Sequence, residues 1–483
     1  MEANGSTPHS LVPCSSDETI RFTADFHPTV WGDYFIENYP LPSNLQKSEA
    51  CVIKRIGELK EEVKSLLKNA NDDLQKMELI DALQRLGMAY HFEKEIDEIL
   101  NQIYNVHIDG ESLHVVALHF RLLRQHGYNV PANVFNKFKE VEGGFKATLR
   151  NDMKGLLSLY EAAYLGILEE DILDEALNFA KVHLKSMESQ TRPPLAAQIL
   201  DAFEMPLYRR MGRLEAKNYI SIYQEDEGQI NPVLELAKLD FHMLQSIHRE
   251  EIRSISMWDI EAANQLEEVS KLYFLNLYNT FKEFEDELAE EGNSYRVDYL
   301  KESIKEASRA CMEEAKWRDK GYVPPLKEYL TVSTISCCFA VLSCASFVGM
   351  GEEATKEAFE WLTSLPRIIK ATSSIFRLLN DVASNEFEQE RNHVSSAVQC
   401  YIKEHGASVQ GACEKLLGMI EEEWKILNNE CLNMTAMPKS LIMPIINNAR
   451  TIETMYRKSD SYTHASTTMK DRITLLLVEP ISF

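Results

Sequence analysis

The sequence has no basic residues to spare. Lys and Arg number 51 against 75 Asp and Glu, so the 483 residues carry a net charge of −24. Such a balance repels nucleic acid and anionic lipid, and neither is expected as a main partner. Paired cysteines are lacking too. The nine cysteines are odd in number and scattered, with no CxxC pair. That argues against a disulfide framework or a zinc site and for reduced thiols. The start, MEANGSTPHSLVPCSSDE, has no basic stretch followed by an apolar core, so no signal peptide is expected. It is also too short and acidic for a plastid transit peptide, and a cytosolic location follows. Alternating β-branched runs joined by two-residue turns are absent, which excludes a sheet protein. One stretch, Tyr329–Gly351, lacks all charge and is long enough to span a bilayer. It is crowded with Ser, Thr, Cys and Gly, and reads as a buried helix of a soluble bundle.

What the chain has is helix periodicity. MELIDALQRLGMAYHFEKEIDEILNQIY, DILDEALNFAKVHLKSM and SVQGACEKLLGMIEEEWKILNNECL place apolar residues three and four apart. Pro and Gly fall mostly between such segments, and the first 40 residues or so, with five prolines, read as the longest loop. The fold class expected is all-α, in two helical domains that meet near residue 220.

The stretch that carries chemistry is RLLNDVASNEFEQE. Asn380, Ser384 and Glu388 are spaced i, i+4, i+8. They advance about 40° per step, so the three oxygen-bearing side chains share one helix face along ~12 Å. An amide, a hydroxyl and a carboxylate are hard ligands suited to Mg2+. Arg377 lies close to the same face, where a guanidinium can hold a phosphate. Asp381 neighbours the stripe. The same pattern also fits a helix leaving the core, with Glu386, Glu388 and Glu390 on its solvated face.

NDVASNEFE resembles the second metal motif of class I terpene synthases: Asn or Asp, Asp, aliphatic, any residue, Ser or Thr, three of any, Glu. RFTADFHPTVWGDYF is similar to that family's N-terminal Arg-Trp strap, with Arg21 and Trp31 in place. Phe22 stands where plastid relatives have a second Arg, as in the cytosolic sesquiterpene group. LQRLGMAYHFEKEI, PLYRRMGRLEAKNYI, LAKLDFHMLQSIHREE, EAKWRDKGYVPP, SFVGMG, FEQERNHVSSAVQCYIKEHG and SDSYTH are similar to signatures of plant sesquiterpene synthases. The resemblance implies an N-terminal helical, α-barrel-like domain at 1–220 and a C-terminal metal-binding bundle at 221–483. It implies Mg2+-dependent ionisation and cyclisation of a prenyl diphosphate, farnesyl diphosphate in the sesquiterpene group, with release of diphosphate. Mn2+ is the alternative ion. The implied metal ligands are Asn380, Ser384 and Glu388, with Arg377 on the diphosphate. Ser336, Cys337 and Cys338 resemble the kinked pocket helix, and Tyr456, Asp460 and Tyr462 the pocket rim. The implied partner is the prenyl diphosphate alone, and a monomer is favoured.

The family's other metal motif, DDxxD, is missing. Asp72-Asp73, Asp171 with Asp174, and Glu285-Asp286-Glu287 are no substitutes. SIHREEIRSI resembles the end of the first catalytic-domain helix, while SMWDIEAANQLEEVSKLYF resembles a segment that comes much later. Between Ile255 and Ser256 roughly 70 residues of the family pattern are absent, enough for two or three helices. An impaired synthase is therefore expected. The alternative is a catalytically inactive splice isoform or a helical binding or scaffold protein.

Overall fold

The computed structural model describes residues 30–31, 34–37, 46–70, 72–105, 112–187, 193–256, 269–389 and 394–481. Among these residues there is no strand, only one antiparallel bridge between Lys139 and Phe145. The helices of the first half are α1 Tyr34–Glu37, α2 Gln46–Asn69, α3 Asp73–Arg85, α4 Glu93–Tyr104, α5 Leu113–Gln125, α6 Met153–Ala163, α7 Asp171–Met187, α8 Leu195–Glu204 and α9 Gly212–Gln224. Those of the second are α10 Asn231–Ser256, α11 Val269–Ala289, α12 Tyr295–Asp319, α13 Leu326–Ser336, α14 Phe339–Val348, α15 Lys356–Thr363, α16 Arg367–Gln389, α17 Ala397–His405, α18 Val409–Asn433, α19 Lys439–Tyr456 and α20 Thr468–Ile473. Residue 220 lies inside α9, and the nearest break between helices is at residues 225–230.

Polar residues start the helices as their chemistry requires. Asp72 accepts from the Gln75 amide at 2.8 Å and so caps α3. Ser112, Asp152, Thr355 and Ser408 do the same for α5, α6, α15 and α18. α17 opens on a capping box of Ser396 and Gln399 and closes on Gly406 at φ +64°. The acidic groups that do not match DDxxD are occupied elsewhere. Asp174 pairs with Lys425 at 2.7 Å, and Asp286 with Lys282 at 2.8 Å.

Apolar stripes set the packing. α5 lies between α3 and α6 over a core that includes Leu83, Phe120, Leu122 and Leu156. In the second half α16 is central and touches α13, α17, α18 and α19 through Ile368, Ile375, Leu378 and Leu379. The two halves are clasped by Arg209, which is 3% exposed at its side chain. Its guanidinium meets Glu421 at 2.6 Å and Glu453 at 3.4 Å and lies 4.8 Å from the Trp424 ring centre. Asn428 donates to the carbonyls of Tyr164 and Gly166 at 3.1 and 2.9 Å.

The uncharged stretch forms two helices rather than one. α13 and α14 are separated by Cys338 in the left-handed region, φ +63°. Its burial is one-sided. Tyr329, Ser333, Phe339, Cys344 and Phe347 are inside, while Leu342 is 45% exposed. By length and composition alone Leu326–Val348 could cross a membrane, yet it is broken at Cys338 and packs on α12 and α16.

α16 and α18 form the most extensive helix pair, and Glu423 of α18 is half-buried beside Ser374 of α16. Burial raises the Glu423 carboxyl to about 7, against 4.5 unperturbed. The folded state thus holds a proton that the unfolded chain has released, so stability falls as pH rises across that window. Glu423→Gln is expected to stabilise by about 1 kcal/mol at pH 8, the partial exposure screening the shift, and by less at pH 5. Thermal melts of both forms at the two pH values check this; an equal gain at each would refute it.

Candidate functional site

The metal-motif stripe lies on the C-terminal half of α16. Its helix is held there by the residue between the ligands. Asp381 is 1% exposed and uses both oxygens. One pairs with Arg377 Nη2 at 2.7 Å. The other accepts from the Tyr329 hydroxyl of α13 and from the Ala397 amide at the start of α17, each at 2.8 Å. The Ala397 amide belongs to a helix N-terminus, where a carboxylate is favoured. One turn on, Asn385 accepts from Gln399, whose own oxygen receives the Ser396 amide at 2.9 Å. The N-terminus of α17 is thereby pinned to α16 at two points.

Two of the three stripe side chains, Ser384 and Glu388, are joined directly. Ser384 donates to the Asn380 carbonyl at 2.8 Å and to Glu388 Oε1 at 2.7 Å. Arg377 donates to the Asn380 side-chain oxygen. Ser384 is 3% exposed, while Asn380 and Glu388 are half-buried. The Arg377 guanidinium is enclosed, which disfavours its charge, but Asp381, Tyr329, Cys337 and Glu314 together outweigh that and its pKa rises. In chemistry the donor set fits one hard cation: an amide oxygen, a hydroxyl and a carboxylate along one helix face. It offers a single carboxylate, Glu388. Among the described residues no group of three or more His, Cys, Asp or Glu side chains is placed to hold a metal.

The expected pocket residues divide. Ser336 donates to Glu314 of α12 at 2.7 Å, and Cys337 is buried, its thiol pushed up to about 12 by burial. Cys338 supplies the break between α13 and α14. Tyr456 packs on Phe376 of α16, ring centres 6.0 Å apart, and burial raises its hydroxyl pKa, with Asp460 adding to the rise. Asp460 is 5% exposed and caps its own turn through the Tyr462 and Thr463 amides at 3.1 and 2.8 Å. Tyr462 is 70% exposed, pointing out rather than along a rim. Trp31 stacks on Tyr34 and Phe35 at 5.5 and 5.2 Å, next to α10. Arg21 lies outside the described residues. Sequence reasoning missed Glu314, Tyr329, Asn385 and Gln399. Glu314 opens the quoted segment EAKWRDKGYVPP, but nothing in that segment shows that it faces Ser336. Cavities of about 1070 and 650 Å3 lie elsewhere, and none of the α16 stripe lines either.

Removing the carboxylate charge at Asp381 should be costly. Asp381→Asn leaves Arg377 buried and unpaired and is expected to destabilise by about 3 kcal/mol. Asn380→Ala, which loses one neutral partner, should cost about 1 kcal/mol. Urea unfolding of both variants would overturn this ranking if they proved equal.

Comparison with known proteins fits this geometry. Sequence models described as "Terpene synthase, N-terminal domain" and "Terpene synthase family, metal binding domain" match residues 30–203 and 250–426. The chain is 43% identical to an alpha-humulene synthase of Zingiber zerumbet over 536 aligned positions, covering 96% of this chain and 97% of that protein. Since 96% of 483 residues is about 464, some 72 of those positions have no residue from this chain. It is 37% identical to a (-)-germacrene D synthase of Vitis vinifera, covering 96% of this chain and 97% of that protein. Among solved structures, isoprene synthase of Populus x canescens, in complex with three Mg2+ ions and dimethylallyl-S-thiolodiphosphate, superposes with a TM-score of 0.80 at 31% identity. That match covers 89% of this chain and 98% of the other. A limonene synthase with 2-fluorolinalyl diphosphate gives a TM-score of 0.85 at 26% identity, over 95% and 99% of the two chains. Matched in both halves, in order, and over nearly its whole length, the chain belongs to the terpene synthase family.

Proposed function

We propose that the chain is a cytosolic protein of the sesquiterpene synthase type that holds a prenyl diphosphate with Mg2+ on α16 and turns it over poorly. Farnesyl diphosphate is the substrate, and Mn2+ can replace Mg2+. Asn380, Ser384 and Glu388 hold the cation, and Arg377, whose Nε has no partner, contacts the diphosphate. Ser336, Cys337, Cys338 and Tyr456 contribute to the hydrocarbon side. Mg2+ when bound offsets charge on the departing diphosphate. The chain's own part is to orient that group and keep water from the cation that forms.

The observation that carries the impairment is the count of carboxylates. Glu388 alone among the stripe ligands is charged, and the total of some 72 unmatched positions equals in size the roughly 70-residue loss read at Ile255–Ser256. A neutral amide and a hydroxyl compensate little for a multiply charged metal–diphosphate cluster. The exposed Met312 of α12 and Leu342 of α14, at 59% and 45%, agree with an apolar surface that has lost its cover.

Purified full-length chain with farnesyl diphosphate and Mg2+ should give at most about a thousandth of the turnover of the Zingiber humulene synthase, as expected when an electrostatic stabiliser is lost. Volatiles are read by gas chromatography with mass detection; turnover within tenfold of that relative would defeat the proposal. Mn2+ titration followed by electron paramagnetic resonance should show substrate-dependent binding that Glu388→Gln abolishes. Binding that survives this change would remove α16 from the site.

A further inference from the structure

The cavity of about 650 Å3 opens between the two halves of the molecule. Its walls are α18, α19 and the Met434–Met437 connection on one side, and α3, α4 and α5 on the other. The bordering face of α19 carries Lys439, Ile442, Met443, Ile446 and Arg450. Their spacing puts them in one stripe, with a cation at each end about 16 Å apart and aliphatic side chains between. Met434 and Met437 face it and add flexible, polarisable surface.

The cavity has a cationic surplus in an acidic protein. Arg85, Arg121, Arg124, Arg210, Lys439 and Arg450 line it against Glu93, Asp97 and Glu215. Four of the cations are matched. Arg85 and Arg210 share Glu215, Arg121 meets Asp81, and Arg124 meets Glu170. Arg450 is not. Its Nε donates to the Tyr208 carbonyl at 2.7 Å, its Nη1 to Asn447 at 2.9 Å, and the guanidinium lies 5.0 Å from the Tyr208 ring centre. All of these partners are neutral, and burial pulls its pKa down. Arg209, in the neighbouring clasp, has two carboxylates. A half-buried cation without a counter-charge is costly, though less so than a fully enclosed one. Asn428, which lines the same cavity and is 4% exposed, spends its amide hydrogens on Tyr164 and Gly166 and leaves Oδ1 without a donor.

We propose that this cavity binds an amphipathic anion, its carboxylate or phosphate head on Arg450 and its apolar chain along Ile446, Met443 and Ile442 towards Lys439. A phosphate head bearing a hydroxyl also supplies the donor that Asn428 lacks. Such a ligand touches both halves and ties them together.

The test is titration of the full chain with decanoate, decyl phosphate and decanol, read by calorimetry and by the melting temperature. Both anions should saturate below the millimolar range and raise Tm by a few degrees. Decanol, with the same chain and no charge, should bind at least tenfold more weakly. Arg450→Gln should weaken both anions about tenfold and leave decanol unchanged, which separates this site from the diphosphate site on α16. Met443→Asp, at a half-exposed position, should weaken the anions by a similar factor, and it decides the matter should Arg450→Gln fail to fold. Tighter decyl phosphate than decanoate assigns the head to phosphate, and the reverse order to carboxylate. The proposal falls if decanol matches the anions, if either folded variant binds the anions as the parent does, or if no anion saturates below its micelle concentration.

Discussion

One buried carboxylate organises the second half of the molecule. Asp381 sits where water cannot reach, and an ion there is tolerable only when paired with a counter-charge and hydrogen-bonded. Arg377, Tyr329 and the Ala397 amide do this from α16, α13 and the first turn of α17. Three helices are fixed against one another by a single side chain. Asn380 is its chain neighbour, and Ser384 and Glu388 follow at one and two turns, so their direction follows from the direction Asp381 must take. Asn380 and Glu388 are half-buried beside a neighbour that is wholly inside.

This arrangement also explains how such a chain can keep its shape with a family segment missing. Every bond of Asp381 reaches residues between 329 and 397, all beyond the Ile255–Ser256 junction. The clasp between the halves is equally independent of it. Arg209 finds Glu421 and Glu453, Asp174 finds Lys425, and Asn428 finds two carbonyls after α6. These contacts connect retained segments to retained segments. On the reading proposed above, the missing segment is a wall facing α16, and a wall can be lost while the elements behind the opposite face stay bonded. The loss weighs on exposed apolar side chains such as Leu342 and Met312, at about 25 cal/mol per Å2 of surface left uncovered, and on charge.

Much of this was legible in the sequence, for reasons of period and spacing. Heptad-like apolar recurrence gave helices, and i, i+4, i+8 spacing puts Asn380, Ser384 and Glu388 on one face wherever that helix goes. The break at Cys338, at φ +63°, was visible only through resemblance, because Ser-Cys-Cys is no helix breaker by propensity. The one-sided burial of Tyr329–Gly351 escaped composition, which counts charges but does not see which neighbours are present. Asp381 read merely as a neighbour of the stripe. Its role rests on Tyr329 and Ala397, 52 and 16 residues away, and no local pattern encodes such pairs. Tyr462 was misleading for the opposite reason: a tyrosine in a familiar segment suggests a pocket, yet the turn capped by Asp460 sends it to solvent.

The charges along α16 then decide what this face can hold. Arg377 and Asp381 cancel as a pair, so Glu388 supplies the one carboxylate among the three stripe side chains. A divalent ion is stripped of water only where anionic oxygens replace its shell, and Mg2+ gives up water reluctantly. One carboxylate with two neutral oxygens is a poor trap for the bare ion. A diphosphate that arrives with its metal brings the missing anionic oxygens itself, and then the same three side chains need only complete the shell. On the reading proposed above, the face is therefore suited to a metal–diphosphate complex and unsuited to either component alone. The acidic excess of the chain does not alter this, because field strength falls within about 10 Å in physiological salt and carboxylates on distant solvated helices act through water.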